Sequence, residues 1–70
     1  MDYRTELTRW LEEGTARRWR DAQRIPRKQA AADVGVDEAT IRRWETGKTT
    51  PVGDNARRYH RWLRSIEPKT

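Results

Sequence analysis

Seventy residues without a cysteine allow one small packed unit and exclude disulfide staples and thiolate metal sites, so the core has to rest on packing alone. Sixteen Lys and Arg against eleven Asp and Glu give a formal net charge of +5 and a sequence pI of about 10.4, a balance that points to a polyanionic partner. No apolar run is long enough to cross a bilayer and no apolar core follows Met1 to Arg4, so the expectation is a cytoplasmic chain with no secretion signal and no membrane contact.

The charge is uneven: residues 1–13 carry two basic and four acidic side chains, residues 14–70 fourteen and seven. Apolar residues recur at spacings of three and four, without strand-like alternation or an Asn-Gly or Asp-Gly turn, which predicts an all-α fold. Tyr3, Leu7, Trp10 and Leu11 share one side of a helix over about residues 2–13 that weakens at Gly14. From Thr15 to about Gln23 a further stretch turns Ala16, Trp19 and Ala22 or Gln23 to one face, with Arg17, Arg18 and Arg20 around the rest. It is either a second helix or the continuation of a kinked first one. Ile25-Pro26 interrupts, and a short helix follows from Arg27 to Asp33. Gly35 suits a left-handed turn, Asp37 an N-cap for a helix from Glu38 to Thr46, and Gly47 its stop. Residues 49–53 read as a loop, Asp54 as the cap of a last helix to about Ile66, and residues 67–70 as a frayed tail. The core is thus expected over about residues 15–66 of a single domain.

A short helix, a glycine turn and a second helix is the layout of a helix-turn-helix. Ala31 suits a close crossing, Val36 and Ile41 fill the space between the helices, and Trp44 anchors the far end. At 100° per residue with Ile41 inward, Val34, Asp37, Trp44 and Lys48 fall toward the inside, and Ala39, Arg42, Arg43 and Thr46 point outward. The pattern Ala31, Gly35-Val36, Ile41 and Trp44-Glu45-Thr46-Gly47 resembles the Cro/lambda-repressor (XRE-type) helix-turn-helix family over roughly Thr15 to Ile66. The resemblance implies a small lambda-repressor-like domain of four to five helices, a reading helix in the major groove, and a transcriptional regulator that binds operators as a dimer. Carried over by position, its base-reading sites fall on Asp37, Glu38, Ala39, Thr40 and Arg43, and its helix-start phosphate contact on Arg27, where many relatives have glutamine. The acidic pair Asp37-Glu38 and the leading helix depart from the family pattern.

The base-reading candidates are therefore Glu38, Ala39, Thr40, Arg42 and Arg43, and the phosphate-binding candidates Arg27, Lys28, Arg17, Thr46 and Lys48, with Arg18, Arg20 and Arg24 nearby. Trp19, Trp44 and Leu63 are expected in the core. Trp10 and Trp62 suit either burial or an interface, and Arg57, Arg58, Arg61 and Arg64 a solvated helix face. His60 has no cysteine or second histidine to share a metal, and no nucleophile-base pair or phosphate loop suggests an enzyme. The leading expectation is a phage or mobile-element Cro-like or repressor-like regulator on a palindromic double-stranded DNA site, needing no cofactor, metal or small-molecule ligand. Two alternatives are a protein-protein interaction module that grips its partner through Asp37-Glu38, Trp10 and Trp62, and an excisionase-like architectural DNA binder.

Overall fold

Left-handed turns set the boundaries between elements. In the computed structural model, which describes residues 2–68, five helices follow one another: α1 (Tyr3–Glu12), α2 (Thr15–Ala22), α3 (Arg27–Val34), α4 (Glu38–Thr46) and α5 (Gly53–Ile66). Met1, Lys69 and Thr70 lie outside the described residues, and with them half of the tail expected to fray. Among the described residues there is no strand, and no helix is long and apolar enough to cross a membrane. Gly14, at φ +72°, ends α1 before α2 begins, so the first two stretches are separate helices and not one kinked rod.

Two boundaries differ from expectation. Arg24 closes α2 at φ +57°, the one non-glycine residue with positive φ among those described. Around it the Ile25 N–H donates to the Arg20 carbonyl and the Arg24 N–H to the Asp21 carbonyl, both at 3.0 Å, the paired bonds of a Schellman turn that usually takes glycine. At the other end of the chain α5 starts at Gly53 with Val52 as its cap residue, so Asp54 is not the cap. Sitting in the first turn, its carboxylate meets Arg57 at 2.5 Å and Arg58 at 2.6 Å, partners three and four residues on along the same helix.

The longest helix organises the rest: α1, α2 and α3 each pack on α5, while α3 also packs on α4 and α1 on α2. Ala56, Tyr59 and Leu63 form the buried stripe of α5, met by Leu7 and Trp10 from α1, by Ala30, Ala31 and Val34 from α3, and by Ile41 and Trp44 from α4. Trp44 lies 4.8 Å from the Tyr59 ring. Trp10 is only 7% exposed and packs 4.8 Å from Trp19, which removes it as an interface candidate: a side chain already enclosed by its own fold has no surface to offer. Trp19, expected inside, is half-buried at the edge of this cluster.

Polar contacts fasten α1 to α5. His60 Nε2 and Glu6 Oε1 are 2.7 Å apart, and Arg64 reaches the same carboxylate oxygen at 3.1 Å. The imidazole stacks flat on Trp10, with centroids 5.0 Å apart and planes 3° from parallel, and the Arg64 guanidinium lies 5.7 Å from the same indole. His60 is thus a structural contact, and Arg64 is tied to α1 instead of standing on a purely solvated face. The hydrogen bond from His60, helped by the charge of Arg64, holds the Glu6 carboxyl below its ordinary range.

The Arg24 turn and the fastened carboxylates lead to two expected outcomes. Arg24→Gly relieves the left-handed strain and should stabilise the protein by about 1 kcal/mol, visible as a rise of about 4–8 °C in the thermal midpoint; an unchanged or lower midpoint would count against strain at this turn. Glu6, Asp37 and Asp54 all have carboxyls held below their ordinary values. The stability they contribute is therefore complete above the unfolded values near pH 4 and is lost as pH falls through the lower folded ones. Melting curves between about pH 6 and about pH 2 should show the midpoint dropping below about pH 4, with Glu6→Gln dropping less steeply.

Candidate nucleic-acid interface

A pair of charges buried together positions the second helix of the motif. Glu45 falls on the inner side of α4, and Arg20 reaches it from α2 in a bidentate pair: Nε to Oε2 at 2.6 Å and Nη2 to Oε1 at 3.0 Å. Their side chains keep only 7% and 3% of their surface. The remaining capacity of the pair is used locally. Arg20 Nη1 donates to the Ile25 carbonyl at 2.9 Å, and Arg27 Nε donates to Glu45 Oε1 at 3.3 Å. The hydrogen bond to Glu45 raises the Arg20 pKa further above its already high value. This clamp joins α2, the chain around Ile25, the first residue of α3 and the last turn of α4. Arg20 is consequently not one of the solvent-facing arginines expected on α2.

The turn between α3 and α4 is closed by backbone bonds. Gly35 adopts φ +91°, which lets the N–H groups of Gly35 and Val36 both donate to the Ala31 carbonyl, at 2.8 and 3.0 Å. From α5, Arg58 Nε donates to the Val34 carbonyl at 3.0 Å, so this arginine braces the turn as well as pairing with Asp54. Asp37 caps α4 as expected, accepting the Thr40 N–H at 3.3 Å and the Thr40 hydroxyl. Those bonds, the hydroxyl first, and the nearby charge of Arg43 hold the Asp37 carboxyl below its ordinary range. It is an exposed cap and not an inward residue.

With Ile41 and Trp44 buried, α4 turns Glu38, Arg42, Arg43 and Thr46 to solvent. Arg42, Arg43, Thr46 and Lys48 line one surface depression. The helical wheel had put Lys48 inside; the helix ends at Thr46 and Gly47 turns at φ +80°, so the 100° step no longer applies and Lys48 is exposed. Ala39 and Thr40 are half-buried at the start of the same helix. The Thr46 hydroxyl donates back to the Arg42 carbonyl at 2.9 Å. Arg43 Nη2 donates to Thr40 Oγ1 at 3.1 Å.

Among the phosphate-binding candidates, Lys28 is exposed on α3, Arg17 is exposed on α2 with Asp21 at 3.8 Å, and Arg27 is one-third exposed, held on one side by Glu45. Trp62 is half-buried: its indole N–H donates to Asp33 Oδ2 at 3.1 Å, and with Arg58, Arg61 and Ser65 the two line a shallow depression. Sequence reasoning missed the partnership of Arg20 with Glu45 and that of Thr40 with Arg43. The first carried a signal, since both residues lie within the inward arc of their helices.

A family model described as helix-turn-helix matches residues 17–63, from the first turn of α2 to the last of α5, and leaves α1 outside. Comparisons with curated proteins and with solved structures gave no match.

Removing one member of the clamp strands its partner's charge away from water. Arg20→Ala and Glu45→Ala should each cost about 3–5 kcal/mol in urea unfolding, whereas the double replacement Arg20→Met with Glu45→Leu should keep most of the stability. Single variants that lose less than about 1 kcal/mol would refute the clamp's structural role.

Proposed function

The chain belongs to the Cro/repressor (XRE) type of helix-turn-helix family, a family of DNA-binding regulators, and from that premise we propose that it is a sequence-specific transcriptional regulator of the kind carried by phages and mobile elements. Two copies bind a palindromic double-stranded site, each laying α4 in the major groove, with half-sites about one helical turn apart. The domain acts in the cytoplasm and associates with the nucleoid when bound to DNA.

The observation that carries this reading is the exposed side of α4. Arg42, Arg43, Thr46 and Lys48 line one depression there, while the Asp37 carboxylate, the acid nearest the tip, is occupied by its cap bonds to Thr40. The remaining acid on this helix tip, Glu38, is exposed and suits the amino group of cytosine. Arg42 and Arg43 have the donor fork that matches guanine O6 and N7. Glu38 and Ala39 accompany them as base-facing residues, and Arg17, Arg27, Lys28, Thr46 and Lys48 serve the phosphates. Trp62, with Asp33 beneath its indole nitrogen, belongs to the surface available to the second copy.

Selection from a random duplex library at near-physiological salt tests this directly, the expected product being a palindromic consensus. Salt-sensitive binding without a consensus would favour an architectural role, and no binding would favour a protein partner. On the selected duplex, Arg43→Ala should relax base preference at one position of each half-site by about 1–3 kcal/mol. Lys28→Ala should weaken all duplexes alike and lower the slope of log K against log salt by about 0.9. Equal losses on specific and non-specific duplexes in Arg43→Ala would refute its reading role.

A further inference from the structure

Thr40 stands among the positions to which base reading was assigned, yet its hydroxyl is engaged on both sides. It has one proton to donate, and that proton goes to the Asp37 carboxylate; its oxygen accepts from Arg43 Nη2 at 3.1 Å. The backbone N–H of the same residue donates to the same carboxylate oxygen at 3.3 Å. Asp37, Thr40 and Arg43 thus form a chain of bonds along one side of α4, three residues apart at each step. The Arg43 side chain runs back toward the N-terminal end of the helix, the direction that helical rotamers favour, and its guanidinium is held beside the tip that enters the groove.

The geometry points to Thr40 as a positioning residue for base recognition: its hydroxyl, anchored by Asp37, holds the Arg43 guanidinium in place before DNA arrives, and Thr40 itself makes no base contact that discriminates. This rests on the reading of Arg43 as a base-contacting residue. A free arginine loses several rotatable bonds on docking, and a side chain fixed in advance loses less. The bond uses only one of the five guanidinium N–H groups, so the others remain for the guanine edge. The arrangement also accounts for an acid at the tip of a DNA-reading helix: Asp37 faces the start of its own helix and the arginine chain before it faces a phosphate.

The test uses the full chain and the duplex recovered by selection. Discrimination is the ratio of affinities for that duplex and for one substituted at the base pair where Arg43→Ala relaxes preference. Thr40→Val, which keeps the shape and removes the hydroxyl, should lower discrimination about two- to tenfold at an unchanged salt slope. Thr40→Ser should restore it, and in the Arg43→Ala background Thr40→Val should have no additional effect. Thr40→Ala gives a second hydroxyl-free variant on a residue that favours helix, and thermal melts of each variant verify folding.

Unchanged discrimination in folded Thr40→Val and Thr40→Ala, with Arg43→Ala still relaxing its base pair, would overturn the positioning role and leave the reading of Arg43 standing. A further loss from Thr40→Val in the Arg43→Ala background would also overturn it, because Thr40 would then touch DNA on its own account. Uniform weakening by Arg43→Ala would remove the underlying reading, and the positioning role with it.

Discussion

Arg20 and Glu45 cannot be buried apart. Each charge in isolation would carry a desolvation penalty of several kcal/mol, and only the close bidentate geometry, with Ile25 and Arg27 taking up the spare hydrogen-bonding capacity, makes burial tolerable. That requirement is directional in a way that apolar packing is not. Leucine stripes tolerate small slides, whereas two forked groups lose both bonds if α4 rotates by a fraction of a turn. The pitch of α4 against α2 and the placement of Arg27 at the start of α3 are therefore set by one electrostatic contact. The exposed side of α4 inherits its direction from it.

The same helix illustrates what the chain discloses before it is folded and what it withholds. Gly35, the Asp37 cap, and the burial of Ile41 and Trp44 follow from local rules: a glycine at a left-handed turn, a carboxylate before a helix, apolar residues three apart. Glu45 and Arg20 each lie about 40° from the centre of the inward arc of their helices, counted from Ile41 and Ala16. A charge in that position needs a partner, so the signal existed, but ranking residues by polarity sent Arg20 to the surface. Lys48 failed for the opposite reason, a periodicity carried past the point where the helix stops. Asp54 failed because α5 begins one residue before it, at Gly53, which leaves its carboxylate inside the first turn and against Arg57 and Arg58. Arg24 in a left-handed turn had no local signal, since nothing in an arginine's chemistry requests that conformation. The bond from Arg43 to Thr40 depends on which way a long side chain lies along its own helix, and residue type does not determine that.

An excess of positive charge does not by itself make a DNA-reading surface; its distribution does. Many of the arginines here have internal duties. Arg18 donates to the Glu13 carbonyl at 2.6 Å, Arg58 braces the turn through Val34, Arg57 pairs with Asp54, and Arg64 fastens α1. These contacts spend cations on closing turns and joining helices in a chain with little apolar material. The acids are likewise engaged, Glu45 in the clamp, Glu6 with His60, and Asp37 at its cap. What faces outward from α4 is a biased remainder in which arginine, lysine and threonine predominate.

The attachment of α1 bears on where the protein can be cut. The match to the helix-turn-helix family begins at residue 17, yet Leu7, Trp10, Thr15 and Ala16, all upstream of it, are buried, and Trp10 covers the face of His60 on α5. Residues 17–63 thus carry α4 and its clamp but not a sealed interior. An expression boundary drawn at the family match would expose the flank of α5 to water, and α1 would have to be supplied in trans or replaced by an equivalent apolar surface before that fragment became a module that could be grafted elsewhere.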